Sequence, residues 1–181
     1  SPLGTKCSEG PAVSRKRLHI AWTHVAAEYP GEMPACSSRM QEADIVYEDG
    51  KPKLANKKLI IDSRDLPFRC TLETQNFRLP DERELTFSAY NHQGTDVCGI
   101  DLVTQKVTNY SNAPGQYDET EGIFPDSQYT LVECDRQNHQ GPNHVDLWRL
   151  RLDGSGALER LTHFSDYPGY KGSNGVISDD G

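Results

Sequence analysis

The sequence lacks any long apolar run and any extended basic segment. None of its 181 residues belongs to an uninterrupted stretch of roughly 18 apolar residues, the length that marks a membrane-spanning helix. The net charge is −8, and the densest basic run is only Arg15-Lys16-Arg17. Proteins that bind nucleic acid usually carry a basic stripe or patch. These absences predict a protein with no membrane span and no nucleic-acid partner.

Common metal and nucleophile motifs are also missing. The five cysteines are an odd number and form no C-x-x-C pair, which disfavours a zinc site. We interpret them as buried or free thiols, with one or two disulfides as the alternative in an exported protein. They are Cys7, Cys36, Cys70, Cys98 and Cys134. No G-x-S-x-G motif is present to position a serine nucleophile. No apolar signal-peptide core follows Ser1-Pro2-Leu3-Gly4, and we expect that this is not the native N terminus.

What the sequence does contain is an internal repeat. Residues 85–102 and 129–150 share the same order: a strand-like segment, a polar loop with Asn-His-Gln-Gly, and a second strand-like segment. A Pro-Asp turn precedes each stretch, and a third strand-like segment that ends in threonine follows each, at Thr108 and Thr162. β-Branched and aromatic residues recur in these segments, as is typical of strands. The repeat predicts small antiparallel sheets that stack on each other.

Both ends of the chain fit the same frame. In the first part, strands are predicted at 18–23, 44–49 and 58–62, and residues 29–41 are interpreted as an insertion. A further unit begins near Asn174 and stops at a turn that contains Asp179. The equivalent turn positions lie about 45 to 65 residues apart, close to the period of a propeller blade.

These motifs resemble the TolB-like, WD40-like propeller repeat, which also occurs in the propeller domains of dipeptidyl and prolyl oligopeptidases. The best match is Asp146-Leu147-Trp148, followed by Asp153-Gly154 and then Leu161-Thr162. The resemblance implies an all-β fold, a β-propeller of about three four-stranded antiparallel blades plus the first strand of a fourth. We expect one partial propeller domain over 1–181, whose remaining blades are missing from this chain. Its units are predicted at 9–66, 72–112, 119–164 and 173–181.

A first candidate site is the set of polar residues on strands predicted to line the central channel. A ring of carboxylates and amides at the channel mouth is suited to binding a cation or a basic peptide. Its members are Glu9, Asn76, Glu119, Glu121 and Asn174, and Glu73 has a related position. Solvated polar lining is the simpler interpretation of the same residues.

A second candidate site is formed by the repeated Asn-His-Gln-Gly loops. Imidazole binds divalent transition metals, and a glutamine oxygen can complete the ligand shell. The residues concerned are His92, Gln93, His139, Gln140 and His144. These loops are predicted to lie away from the propeller axis, and polar turns explain their composition equally well.

The sequence thus favours a binding or scaffolding module over an enzyme, acting on a protein or small ligand through a propeller face and needing no cofactor. Two alternatives stay open: a metal-dependent propeller polysaccharide lyase or hydrolase with a divalent metal, and the non-catalytic propeller of a serine oligopeptidase. The resemblance implies a periplasmic or secreted location. A propeller fold hosts many functions, so the fold alone does not choose among them.

Overall fold

The computed structural model describes residues 5–26, 38–68, 70–90 and 94–181. They form three four-stranded antiparallel sheets in which the strands follow one another in chain order. The first sheet contains β1 (Thr5–Val13), β2 (His19–Ala26), β3 (Ser38–Glu48) and β4 (Lys51–Asp62). The second contains β5 (Thr71–Arg78), β6 (Glu84–Tyr90), β7 (Thr95–Asp101) and β8 (Val107–Asn109). The third contains β9 (Asp118–Ile123), β10 (Tyr129–Cys134), β11 (Asp146–Arg151) and β12 (Leu158–Arg160).

Helical structure among these residues is limited to two short 3-10 turns, Ser63–Asp65 and Phe164–Asp166. No helix in the described part of the chain has the length and apolarity to cross a bilayer. The predicted all-β partial propeller of about three blades is confirmed. The three sheets stay open and do not join into one continuous barrel.

Each sheet buries its apolar side chains against the next sheet, since one four-stranded sheet cannot enclose a core by itself. Met40, Leu72 and Phe87 lie in the core between the first and second sheets. Val97 and Val132 lie in the core between the second and third sheets. Stacking of neighbouring blades is therefore the source of the hydrophobic stabilisation.

The cysteines that the structure describes contribute to this packing. Cys70, Cys98 and Cys134 are buried, and Cys98 and Cys134 are free thiols. Burial raises the pKa of the Cys98 thiol well above its usual value, so this thiol stays protonated at neutral pH. The side chains of Cys7 and Cys36 lie outside the described residues.

A hydrogen bond that recurs at each blade junction connects one sheet to the next. Thr23 and Ser88 occupy the same position in β2 and β6, counted from the turn that precedes each strand. The Thr23 hydroxyl oxygen accepts the backbone N–H of Thr74 at 2.8 Å, and that of Ser88 accepts the N–H of Thr120 at 3.1 Å. The acceptors are side chains of one blade and the donors are backbone groups on the first strand of the next.

The third member of this series of hydrogen bonds accounts for the position of residues 173–181. Glu133 occupies the matching position in β10, and its carboxylate accepts the backbone N–H of Asn174. Asn174 thus takes the place that Thr74 and Thr120 take in the earlier blades. Residues 173–181 nevertheless form no hydrogen-bonded strand, because no described strand lies beside them to pair with. The predicted first strand of a fourth blade has the expected position but not the expected pairing.

A second recurrent contact closes the outer part of each blade. The backbone N–H of Val97 donates to the Ser111 hydroxyl at 3.0 Å, and the N–H of Leu147 donates to the Thr162 hydroxyl at 2.9 Å. Buried Asp96 and Asp146 accept hydrogen bonds from the same two hydroxyls. Asp96, Asp146 and Thr162 are therefore structural residues of the repeat, whereas in the second blade Ser111, and not the predicted Thr108, takes the place of Thr162.

The strand bounds differ from the predicted ones mainly in the first sheet. β3 begins at Ser38, so residues 38–41 belong to a strand and not to the predicted insertion, whose residues 29–37 lie outside the described part of the chain. β4 begins at Lys51 and not at Lys58, because Asp49 and Gly50 adopt left-handed conformations (φ of 51° and 73°) and turn the chain into a long hairpin.

Replacing Thr23 with valine should destabilise the junction of the first two blades. The substitution keeps the side-chain shape but leaves the buried N–H of Thr74 without an acceptor, which costs about 1–3 kcal/mol. Urea unfolding of Thr23→Val measures the loss, and Thr23→Ser is the matched control because it retains the oxygen. Equal unfolding free energies for the two variants would contradict the structural role of this hydrogen bond.

Candidate functional site

The first strands of the three sheets bring glutamates to equivalent positions. In the strand register, Glu9 of β1 lies opposite Thr23, Glu73 of β5 opposite Ser88, and Glu119 of β9 opposite Glu133. These β-strands are neighbours, since β1 packs against β5 and β5 against β9. The second and third blades thus each place a carboxylate on the inner edge of the three-sheet array, and the backbone of Glu9 has the matching register position, while its side chain lies outside the described residues.

Carboxylates gather most closely on the third blade. Glu119 and Glu121 share one face of β9, because alternate residues of a strand point to the same side. Glu133 joins them from β10, and one carboxylate oxygen of each of the three lies within 4.8 Å of the others. Glu119 and Glu121 are half-buried and Glu133 is buried. We call Glu73, Glu119, Glu121 and Glu133 the inner acidic cluster.

Two tyrosine hydroxyls connect this cluster across the blade junction. The Tyr90 hydroxyl lies 2.6 Å from a Glu73 oxygen and also bonds Glu119. The Tyr117 hydroxyl bonds the other oxygen of Glu119. Burial, and then the Glu119 carboxylate, raise the pKa of both phenols far above the usual value. Both tyrosines therefore stay neutral and act as hydrogen-bond donors to the cluster.

The crowding of negative charge changes the titration of Glu121. Burial raises the pKa of Glu121 most, and the neighbouring Glu133 and Glu119 carboxylates raise it further, to about 8. Both causes disfavour the ionised form, because a carboxylate loses hydration on burial and is repelled by like charges. A nearby positive charge would favour the ionised form and so offset both effects, which makes the cluster suited to a cationic ligand.

The structure brings some of the predicted channel-mouth residues together and leaves others apart. Glu119 and Glu121 lie in the cluster, and Asn174 contacts it through its backbone N–H to Glu133. Asn76 lies further along β5, beyond a bulge, where its carbonyl accepts the Thr86 hydroxyl at 3.1 Å.

Sequence reasoning missed three members of the site: Glu133, Tyr90 and Tyr117. Glu133 lies on β10, and its alignment with Thr23 and Ser88 is the sequence signal that identifies it. The two tyrosines carried no such signal, because their hydroxyls reach Glu119 only through the packing of neighbouring blades.

The His and Gln loops have a different arrangement. His92 and Gln93 lie outside the described residues, while His139, Gln140 and His144 are exposed on the loop between β10 and β11. Asp135 holds this loop by accepting the N–H of Gly141 at 2.8 Å. Within the part of the chain that the structure describes, the one group of three or more His, Cys, Asp or Glu ligands near enough to share an ion is Glu119, Glu121 and Glu133.

Glu121 should make the stability of the protein fall as pH rises. Its pKa is about 8 in the folded protein and near 4.3 in an unfolded chain. Between these values the folded state holds the proton that the unfolded state has lost, so the free energy of unfolding decreases with pH. Glu121→Gln should remove this dependence on pH. From pH 5 to pH 8, its free energy of unfolding should rise by about 1 kcal/mol relative to that of the wild type, a value that allows for the partial exposure of the group.

Thermal and urea unfolding at both pH values measure this difference. Glu159→Gln is the control, because Glu159 is exposed and paired with Arg149 on the outer strands at 2.6 Å. Parallel pH profiles for wild type and Glu121→Gln would mean that Glu121 ionises at its ordinary pKa.

Comparison with known proteins identifies solved structures of similar architecture. No family model matches the sequence, and no curated protein matches it. Among solved structures, TolB from Acinetobacter baumannii superposes with a TM-score of 0.54 at 18% identity, over 87% of this chain and 32% of that one. A putative TolB from Agrobacterium tumefaciens gives a TM-score of 0.50 at 18% identity, over 87% of this chain and 62% of that one.

The chain therefore spans about a third of the first of these proteins and about three fifths of the second. The likeness concerns the fold, because the identity is low and a propeller hosts many functions. The three antiparallel sheets and their recurrent junction contacts agree with it. This chain has the fold of a TolB-like β-propeller, of which it forms three blades.

Proposed function

We propose that the protein is a binding module whose inner acidic cluster contacts a basic segment of a partner protein. The observation that carries the proposal is the placement of glutamates at one register position on the first strands of all three blades. A row of this kind presents negative charge along a line, which suits lysines and arginines spaced along a polypeptide. Such complementary charge favours rapid and selective association.

The titration of Glu121 supports a cationic partner. With a pKa of about 8, this carboxyl group is partly protonated at neutral pH. A lysine or arginine close to the cluster would lower that pKa and expel the proton. Binding should therefore release protons and strengthen as pH rises from about 6 to 8.

A free divalent cation is the competing ligand for the same carboxylates. Glu119, Glu121 and Glu133 offer three oxygens close together, and hard cations such as Ca²⁺ favour six to eight oxygen ligands. The remaining ligands would have to come from second carboxylate oxygens, backbone carbonyls or water. We favour the basic segment, which needs no such shell.

The enzymatic alternatives are less well supported. The metal-dependent lyase or hydrolase relies on His139, Gln140 and His144, whose loop is held by Asp135 as a surface turn. The oligopeptidase alternative requires a catalytic domain outside these residues. The periplasmic or secreted location inferred from the sequence resemblance stays part of the proposal.

A lysine-rich peptide should bind the protein, and a glutamate-rich peptide of the same length should not. Glu121→Gln and Glu119→Gln should each weaken binding of the basic peptide by about tenfold, the loss expected for removing one partner of a partly desolvated charge pair. Glu159→Gln should leave the affinity unchanged, because this carboxylate lies with Arg149 on the outer strands.

Titration calorimetry in buffers of different ionisation enthalpy measures both the affinity and the protons released. Calcium and manganese chloride are titrated in parallel. Tight binding of either ion together with no binding of the peptide would contradict the proposal and identify an inorganic cation as the ligand.

A further inference from the structure

The first sheet carries a hairpin that has no counterpart in the other two. β3 has 11 residues and β4 has 12, whereas the outermost strands of the other sheets, β8 and β12, have 3 each. The pairing of β2 with β3 ends at His19 and Asp44, but β3 and β4 continue to pair as far as Glu48 and Lys51. We call residues 44–57 the hairpin arm, since its far half extends past the sheet as a two-stranded ribbon.

The base of the hairpin arm is firmly anchored. His19 bonds Asp44 through Nδ1 at 2.9 Å and Glu42 through Nε2 at 3.0 Å. Asn56 donates to the other oxygen of Asp44 at 2.8 Å, and Lys58 pairs with Glu42 at 3.1 Å. These contacts hold the start of the ribbon against the sheet, so that the arm projects in a defined direction.

One face of the arm is apolar and exposed. Because side chains alternate along each strand, the cross-strand pairs Ile45–Leu54 and Tyr47–Pro52 lie on the same face. Tyr47 is 61% exposed and Leu54 is 44% exposed. An isolated two-stranded hairpin is marginally stable in water, and burial of such a face by a third strand would stabilise it.

The free edge of the arm is basic. β4 is the outer strand of its sheet, so about half of its backbone groups have no neighbouring strand, although Pro52 has no N–H to donate and Asn56 has a left-handed backbone (φ of 51°). A partner strand would therefore pair with the remaining backbone groups of the segment between Lys51 and Ala55. Residues 51–59 contain four lysines and no acidic residue. Lys53 pairs with Glu48 and Lys58 with Glu42, while no ion pair is described for Lys51 or Lys57 among the residues that the structure covers. This edge therefore repels a second copy of itself and attracts an acidic strand.

From this geometry we infer that the hairpin arm is a docking site for an extended acidic polypeptide segment that adds to the edge of β4 as a further strand. Main-chain hydrogen bonds to a free edge provide affinity in this mode of recognition, and alternate side chains provide specificity. Apolar side chains of the segment would cover the Ile45–Leu54 face, and its acidic side chains would lie near the lysines. The partner chemistry is an alternation of acidic and apolar residues.

A short peptide in which glutamate and valine alternate is the probe, measured by fluorescence anisotropy with the intact chain. It should bind, and a peptide alternating lysine and valine should not. Lys57→Glu should weaken binding by about tenfold, since it turns an attraction into a repulsion. Lys106→Glu is the matched control, because Lys106 is exposed on the second blade and the change in net charge is the same. Leu54→Ser should also weaken binding by removing part of the apolar face.

Two further measurements distinguish strand addition from simple charge attraction and from protection against aggregation. A peptide N-methylated at alternate residues along one edge should lose binding if its backbone pairs with β4, and retained affinity would overturn the inference. The double variant Lys51→Ala/Lys57→Ala is examined by sedimentation. If it self-associates while the wild type binds no acidic peptide, the lysines serve only to prevent edge-to-edge pairing and the docking site is disproved.

Discussion

The structure depends on the burial of each small sheet against the next one. A four-stranded sheet of this size has two faces and no helix to cover them, so its apolar residues leave water only at a blade junction. The hydrogen bonds that Thr23 and Ser88 accept from backbone N–H groups on the first strand of the following blade fix the relative position of the sheets at those junctions. Because the contact recurs, the two junctions share one geometry. Equivalent positions of neighbouring blades therefore lie on the same side of the array.

The shared geometry of the blades brings acidic residues that are distant in sequence onto one surface. Glu9, Glu73 and Glu119 are far apart in sequence, yet the shared register places them along one inner edge. Glu133 has two roles there, since it accepts the N–H of Asn174 and also adds its charge to the inner acidic cluster. Burial first, and this convergence of charge second, raise the pKa of Glu121. The proposed binding role rests on the same feature that builds the fold.

The hairpin arm has no counterpart in the other two blades, so the repeat does not explain it. The second and third blades end in short outer strands, which limits the free edge that they expose. The first blade extends its edge by the Asp49-Gly50 turn and lines it with lysines. The inner edge of the molecule is thus acidic and one outer edge is basic. The two proposals therefore concern partners of opposite charge, and tests of one do not depend on the other.

The sequence by itself determined the fold class and the repeat, because alternation, Pro-Asp turns and the Asp146-Leu147-Trp148 motif are local signals. It also placed Glu119 and Glu121 on an inner strand. It did not reveal the length of β3 and β4: strands were predicted only at 44–49 and 58–62, because lysine and proline are unfavourable in strands. Only the tertiary structure decided that Tyr90, Tyr117 and Glu133 meet Glu119, because those contacts arise where one blade packs on the next and no periodicity in a single strand encodes them.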